Sequence, residues 1–226
     1  MKVALIIYGH MRTYQIAFPG LEEFFLSTYQ PDVFMHTWDE VEARTKSWHR
    51  DHMRIRPLDV SRVIEMYDPK NILVEKQPQV DDDRVTPNNN ISYVGQKFML
   101  ESLYKADSLR RESGVDYDIV VKIRPDIRLL KPLPVPEPTP GIVFTGSNPQ
   151  GGKRSACDII NIATAADMEK VCQVHAHFDE FYVDRYNRGI LEHSGFIDYI
   201  RSLDLEISWM PYLYKNHWNI VRRRNG

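Results

Sequence analysis

The chain opens with an uninterrupted apolar run, Val3 to Tyr8 (VALIIY), that stops at Gly9. A strand that is apolar on both faces must be covered on both, and the usual solution is a parallel sheet held between helices. Apolar residues at helical spacing follow (Leu21, Phe24, Phe25 and Tyr29), with Pro19-Gly20 as the expected start signal of that helix. Pro31-Asp32 then leads into VFMHTW, a second strand. Strand, helix and strand in succession predict a right-handed βαβ unit and an α/β fold.

The alternation continues along the chain. Asp59 or Ser61 caps a short helix over 59–68, and NILVEKQ (71–77) reads as a strand. SYVGQKFMLESLYKADSLRRES carries a partial apolar stripe of Phe98, Leu100, Leu103, Tyr104 and Leu109, and Gly114 follows its end. Ile119, Val120, Val121 and Ile123 form the next strand, which should stop near Arg124 because Pro125 has no N–H for the ladder. LLKPLPVPEPTPG reads as a proline-rich traverse, and Gly151-Gly152 as a loop between the strands GIVFTG and DIINIAT. AADMEKVCQVHAHFDEFYVDRY and LEHSGFIDYIRSL are expected helices, and LEISWM a late strand. With 226 residues and no internal repeat, a single domain over 1–226 is the expectation.

Composition narrows the partners. A net charge of -2 gives no general attraction to nucleic acid or to an anionic membrane. The local basic cluster Arg222-Arg223-Arg224 reads as a solvated tail, with a phosphate contact or a peripheral membrane contact as its functional alternatives. Cys157 and Cys172 fit no zinc spacing and suit a reducing compartment. The opening apolar run is too short for a signal peptide and lacks a small-residue cleavage site, and no run reaches the ~18 apolar residues of a membrane span. The expectation is a cytoplasmic protein, at most peripheral to a membrane.

Three strands end in polar clusters: Gly9-His10-Met11-Arg12, His36-Thr37-Trp38-Asp39 and Arg124-Pro125-Asp126-Ile127-Arg128. Ligands of open α/β sheets bind beyond the carboxyl ends of the strands, so these clusters count for more than the same residues elsewhere. A glycine for close backbone approach, arginines that fork onto phosphate oxygens and a carboxylate for a cation or sugar hydroxyl suit a nucleoside diphosphate. A salt bridge at a strand end is the plain alternative for Arg124 and Asp126. Asp81-Asp82-Asp83 contains a literal DxD but sits in a polar loop with no buried strand to aim it, and reads as solvated. No Walker loop, GxGxxG after a strand or GxSxG elbow occurs.

YDIVVKIRPDIRLL behind a long helix resembles the central segment of GT-A glycosyltransferases, where a strand ends in a DxD motif that binds metal and sugar-nucleotide diphosphate. ALIIYGHMRTY, PDVFMHTWD and YDIVVKIRPD are similar to the opening, second-strand and central motifs of GT-A-like transferases of bacterial and viral polysaccharide clusters. The resemblance implies a GT-A-like (Rossmann-like) three-layer α/β/α fold with a mostly parallel central sheet. It also implies transfer of a sugar from a nucleotide-sugar donor to a glycan acceptor, with no nucleic acid partner.

By position, Asp126 stands for the last DxD aspartate and Arg124 for the first, which is a departure because arginine cannot ligate a metal. Either Asp126 holds Mg²⁺ or Mn²⁺ with fewer protein ligands, or Arg124 neutralises the diphosphate without metal. The resemblance places the donor among Gly9, His10, Arg12, Thr37, Arg124, Asp126 and Arg128, with Gln96 and Tyr93 as sugar contacts and His217, beside Lys215, against diphosphate or metal. Trp38 would stack on a ring of the ligand or pack in the core. Glu192 matches the position of a catalytic base, with Asp158 as the competing choice. A sugar nucleotidyltransferase and a non-catalytic nucleotide- or glycan-binding protein remain alternatives.

Overall fold

The computed structural model describes residues 1–42, 55–81, 84–85, 92–147, 156–187, 193–210 and 217–221. A seven-stranded sheet forms its centre. The strands are β1 (Val3–Tyr8), β2 (Asp32–Trp38), β3 (Asn71–Glu75), β4 (Ile119–Ile123), β6 (Ile142–Ser147), β7 (Ala156–Thr164) and β8 (Glu206–Met210), in the order β3-β2-β1-β4-β7-β6-β8. Every strand runs parallel to the others except β7, which is antiparallel to both β4 and β6. A separate two-stranded antiparallel sheet pairs β5 (Ile127–Leu129) with β9 (Trp218–Ile220).

The expected double-sided burial is present. Val3, Leu5 and Ile7 of β1 and Ile119, Val121 and Ile123 of β4 enter one core, with α1 (Tyr14–Leu21), α2 (Ser27–Tyr29) and α3 (Val60–Tyr67) on that side, together with β5 and β9. Ala4, Ile6, Tyr8 and Val120 enter the other, beneath α4 (Tyr93–Glu112), α5 (Ala165–Cys172), α6 (Phe178–Asn187) and α7 (His193–Ser202). The architecture is α/β, a mostly parallel sheet flanked by helices, compatible with a Rossmann-like arrangement. Among the described residues no helix is long and apolar enough to cross a membrane.

Local chemistry sets most boundaries. Asp59 caps α3 by accepting the Arg62 N–H at 3.0 Å, Ser92 caps α4 through Gly95 N–H, and Thr164 caps α5 through Asp167 N–H. The first helix departs from expectation: it begins at Tyr14, and Pro19-Gly20 lies inside it. Pro19 offers no N–H to the carbonyl of Gln15, and the helix widens into a π-helical segment over Glu22–Leu26 before α2. The expected helix after β7 is broken by a 3-10 segment, Gln173–His177, between α5 and α6. The short strand β5 spans the end of the Arg124–Arg128 rim cluster and the start of the proline-rich traverse, and β9 directly follows His217, in a stretch for which no element was expected.

Gly20 explains how α1 reaches β5, because a Cβ there would be driven into the Leu129 carbonyl. Alanine normally favours a helix interior over glycine by ~1 kcal/mol. Here the sign inverts: Gly20→Ala should destabilise the protein by about 2 kcal/mol, the usual scale of overpacking against backbone, as read from urea denaturation.

Candidate functional site

Strand order reverses between β1 and β4: from β1 the chain proceeds outward to β2 and β3, and from β4 to the opposite half of the sheet. A crevice opens at such a switch point beyond the carboxyl ends. The exits of β1 and β4 carry Gly9 to Arg12 and Arg124 to Asp126, side by side, with the exit of β2 next to them.

These loops are braced to one another. Gly9 adopts φ +94 in the left-handed region, a conformation that requires glycine, and a Cβ there would meet nothing within 4 Å. Its N–H is committed within the protein, to the Ser102 hydroxyl at 2.7 Å and the His36 carbonyl at 3.2 Å. Gly9 therefore offers open space to a ligand rather than a hydrogen-bond donor. Arg12 Nε–H donates to Glu42 at 2.6 Å, joining the exits of β1 and β2. Val221, beyond β9, ties the other pair: its N–H donates to the Asp126 carbonyl at 2.8 Å, and its carbonyl accepts the Thr13 hydroxyl at 2.9 Å.

Arg124 and Asp126 form a two-pronged ion pair, Nε–H to Oδ1 at 3.0 Å and an Nη2–H to Oδ2 at 2.6 Å. The aspartate side chain is 3% exposed and the arginine 18%, so this is not the solvent-exposed bridge of a strand end. Both carboxylate oxygens serve the guanidinium, and a cation at Asp126 would compete with it. Among the described residues no three His, Cys, Asp or Glu groups gather as a metal site. The donors at this rim, among the described residues, do not fit a divalent ion.

His10 is held as a neutral acceptor. The Glu40 carbonyl can only accept, so His10 Nδ1–H donates to it at 3.0 Å, and the bare Nε2 is buried with no hydrogen bond of good geometry among the described residues. Burial first, then the Arg12 charge, lowers its pKa to about 4, against smaller opposing contributions from Glu40 and the Gln77 side chain. His10 is thus no cation for a phosphate at neutral pH.

The remaining expected residues divide. Thr37 does not reach the crevice: it is wholly buried one residue short of the end of β2, its hydroxyl on the Trp38 carbonyl at 3.4 Å. Trp38 packs in the core, edge-to-face with His36 (4.9 Å between centroids) and Phe98 (5.6 Å). Gln96 is buried in the first turns of α4, while the Tyr93 hydroxyl donates to Asp179 at 2.6 Å and its ring carries the Arg84 guanidinium. Burial and then Asp179 push the Tyr93 hydroxyl up to about 12. Arg128 is exposed on β5 opposite Asn219. His217 supplies its carbonyl to Leu130 N–H, and its Nδ1 is buried without a partner among the described residues. Asp158 lies in β7, but its side chain is outside the described set, as are Glu192, Lys215, Asp82, Asp83 and Arg222-Arg223-Arg224.

Sequence reasoning passed over Glu42, Ser102 and Lys122. Lys122 fills an inward position of β4 and is fully buried, its ammonium donating to the Tyr8 hydroxyl at 3.1 Å and lying 4.7 Å from the Phe196 centroid. A lysine inside the run IVVKI was the available signal. No protein-family model matches the chain, and no curated protein matches it significantly in sequence. The fold and its ion pairs define an α/β protein with a braced, charge-paired rim at its switch point.

Acid should weaken the fold through His10. Unfolding returns its pKa from about 4 to 6.5, so the unfolded chain binds the extra proton between those values. Stability is then fully present above 6.5 and falls as pH drops toward 4, by up to about 3 kcal/mol. Urea melts across that range should show a shallower pH slope in His10→Gln than in the wild type.

Proposed function

We propose that the protein is a nucleotide-sugar-dependent glycosyltransferase of GT-A-like fold. The observation that carries this reading is the pairing of an open, left-handed Gly9 with the Arg124-Asp126 fork on adjacent strand exits at the switch point. A diphosphate placed there meets guanidinium groups already aimed by carboxylates, Arg12 by Glu42 and Arg124 by Asp126. Positive charge fixed in that way stabilises the nucleoside diphosphate as it departs from the sugar. In an inverting reaction the acceptor oxygen would bond to the anomeric carbon as the diphosphate leaves, its proton passing to a carboxylate, Asp158 or Glu192 in this reading.

The mostly parallel sheet with one reversed strand beside β4, and the order of elements around YDIVVKIRPD, are compatible with the same reading. Because each arginine is balanced by an acid, the described rim has little net positive charge, so recognition rests on directed donors more than on bulk attraction. The location inside a cell and any membrane contact through Arg222-Arg223-Arg224 belong to this reading as well.

Thermal unfolding with UDP, GDP, CMP and ADP, each with and without Mn²⁺, tests it. A ligand at 100 times its Kd should add about 2.7 kcal/mol to stability. One base should stand out, and slow hydrolysis of the matching nucleotide sugar should accompany it. Arg124→Ala should weaken that binding by at least ~10-fold, the loss of one charge-assisted hydrogen bond or more, while Arg128→Ala should leave it within ~2-fold. No shift with any nucleotide would overturn the reading, and pyrophosphate release from a nucleoside triphosphate would reassign the protein as a nucleotidyltransferase.

A further inference from the structure

We propose that His36 is a positioning residue for the exit of β1: through the Ser102 hydroxyl it sets how the Gly9 N–H is held. Its bearing on an anion at the crevice rests on the function proposed above, whereas the coupling itself does not. His36 and Ser102 are wholly buried between β2 and α4. The Ser102 hydroxyl accepts the Gly9 N–H at 2.7 Å and has two acceptors for its own proton, His36 Nδ1 at 2.7 Å and the His36 carbonyl at 3.1 Å. On the far side of the ring, Nε2 lies 2.9 Å from Glu75 Oε2, which as a carboxylate accepts, so Nε2 carries a proton.

Two proton arrangements satisfy every one of these groups. With the ring neutral, Nδ1 is bare and the Ser102 hydroxyl donates to it. The hydroxyl oxygen, polarised by that bond, then accepts only the Gly9 N–H. With the ring protonated, Nδ1–H donates to Ser102 and the hydroxyl turns to the His36 carbonyl. The oxygen must now accept two donors, one of them cationic, and its hold on Gly9 weakens.

The charged groups that face His36 are Glu75 from β3 and Glu101 and Lys105 from α4, with the Trp38 ring against its edge. Burial is the largest influence and lowers the His36 pKa below 6.5, the Glu75 hydrogen bond opposes it, and Lys105 adds to the lowering. The neutral arrangement therefore holds near neutral pH. Serine, histidine and glutamate in this order resemble a hydrolase relay, but a fully buried hydroxyl already accepting a backbone N–H is not a nucleophile.

The test is a ¹H–¹⁵N titration of the full chain from about pH 8 to about pH 5, following the His36 ring and the Gly9 amide. Near neutral pH the ring should carry its proton on Nε2, and the Gly9 amide should move with the same apparent pKa as the ring, below 6.5. Burial lowers the pKa of His10, next to Gly9, to about 4, and the same titration in His10→Gln separates its contribution from that of His36. In Ser102→Ala the Gly9 titration should vanish and its amide exchange about 10-fold faster. In Glu75→Gln ring and amide should shift together to lower pH. A Gly9 amide that stays still while the ring titrates, or a neutral ring protonated on Nδ1, would overturn the proposal. Those wild-type measurements need no variant to fold. UDP or GDP bound by the wild type should bind Ser102→Ala about 10-fold more weakly. A wild type that binds no nucleotide would sink the transferase reading alone, because the Gly9 titration judges the coupling independently.

Discussion

The parallel pairing of β1 with β4, Val3 to Ile7 against Ile119 to Ile123, sets two strands covered on both faces side by side at the centre of the sheet. Neither strand has a wet face on which to carry polar chemistry. Polar groups can emerge only where the strands end, and the carboxyl ends of β1 and β4 end together at the point where the chain changes direction. Gly9 turns left-handed directly after β1, and Pro125, with no N–H for the ladder, follows the end of β4, so both strands stop at the same edge of the sheet. Val221 then closes the frame by bonding to both exits.

Within that frame the rim is balanced in charge. A buried, unpaired guanidinium or carboxylate would be strongly unfavourable, so the fold keeps Arg12 with Glu42 and Arg124 with Asp126. The pairing has a geometric effect beyond neutralisation: a guanidinium gripped along one edge has its plane fixed. Such a rim recognises direction and shape, and loses less side-chain entropy when an anion arrives than mobile lysines would. His10 fits the same logic, since its neutral state adds an acceptor rather than another cation beside Arg12.

The strands were legible because double-sided burial writes itself as runs such as VALIIY and IVVKI, α3 because Asp59 occupies a position where a short oxygen can reach a backbone N–H, and α4 because of its apolar stripe, whereas the caps Ser92 and Thr164 show themselves only in the structure. Pro19-Gly20 misled because a start signal and a close helix crossing use the same small residue. Only the approach of Leu129 from more than a hundred positions away shows which applies. The partners of Arg12, His36 and Gly9 were illegible for the same reason. Glu42, Glu75 and Ser102 look like ordinary surface and helix residues until the sheet brings them together. Thr37 shows the converse: membership of a rim motif does not say which side of the last strand residue a side chain falls on.

Two buried polar groupings on the same side of the sheet are resolved in opposite ways. Ser102 and His36 are buried and saturated with hydrogen bonds, the last of them to the half-exposed Glu75, so their burial carries little penalty and makes the local conformation specific. Asn161 on β7, in register with Lys122 and Thr145, is wholly buried with neither amide atom bonded among the described residues. Each such atom is expected to cost roughly 1–3 kcal/mol, a large share of the stability of a single domain. The surrounding packing must offset it, and does so with Tyr8 and Phe196 against Lys122 and with unbroken apolar neighbours, Ile160 and Ile162, on either side of Asn161. An unsatisfied amide therefore lies beside Lys122, one residue before the end of β4, where a fold selected for stability alone would have put a valine.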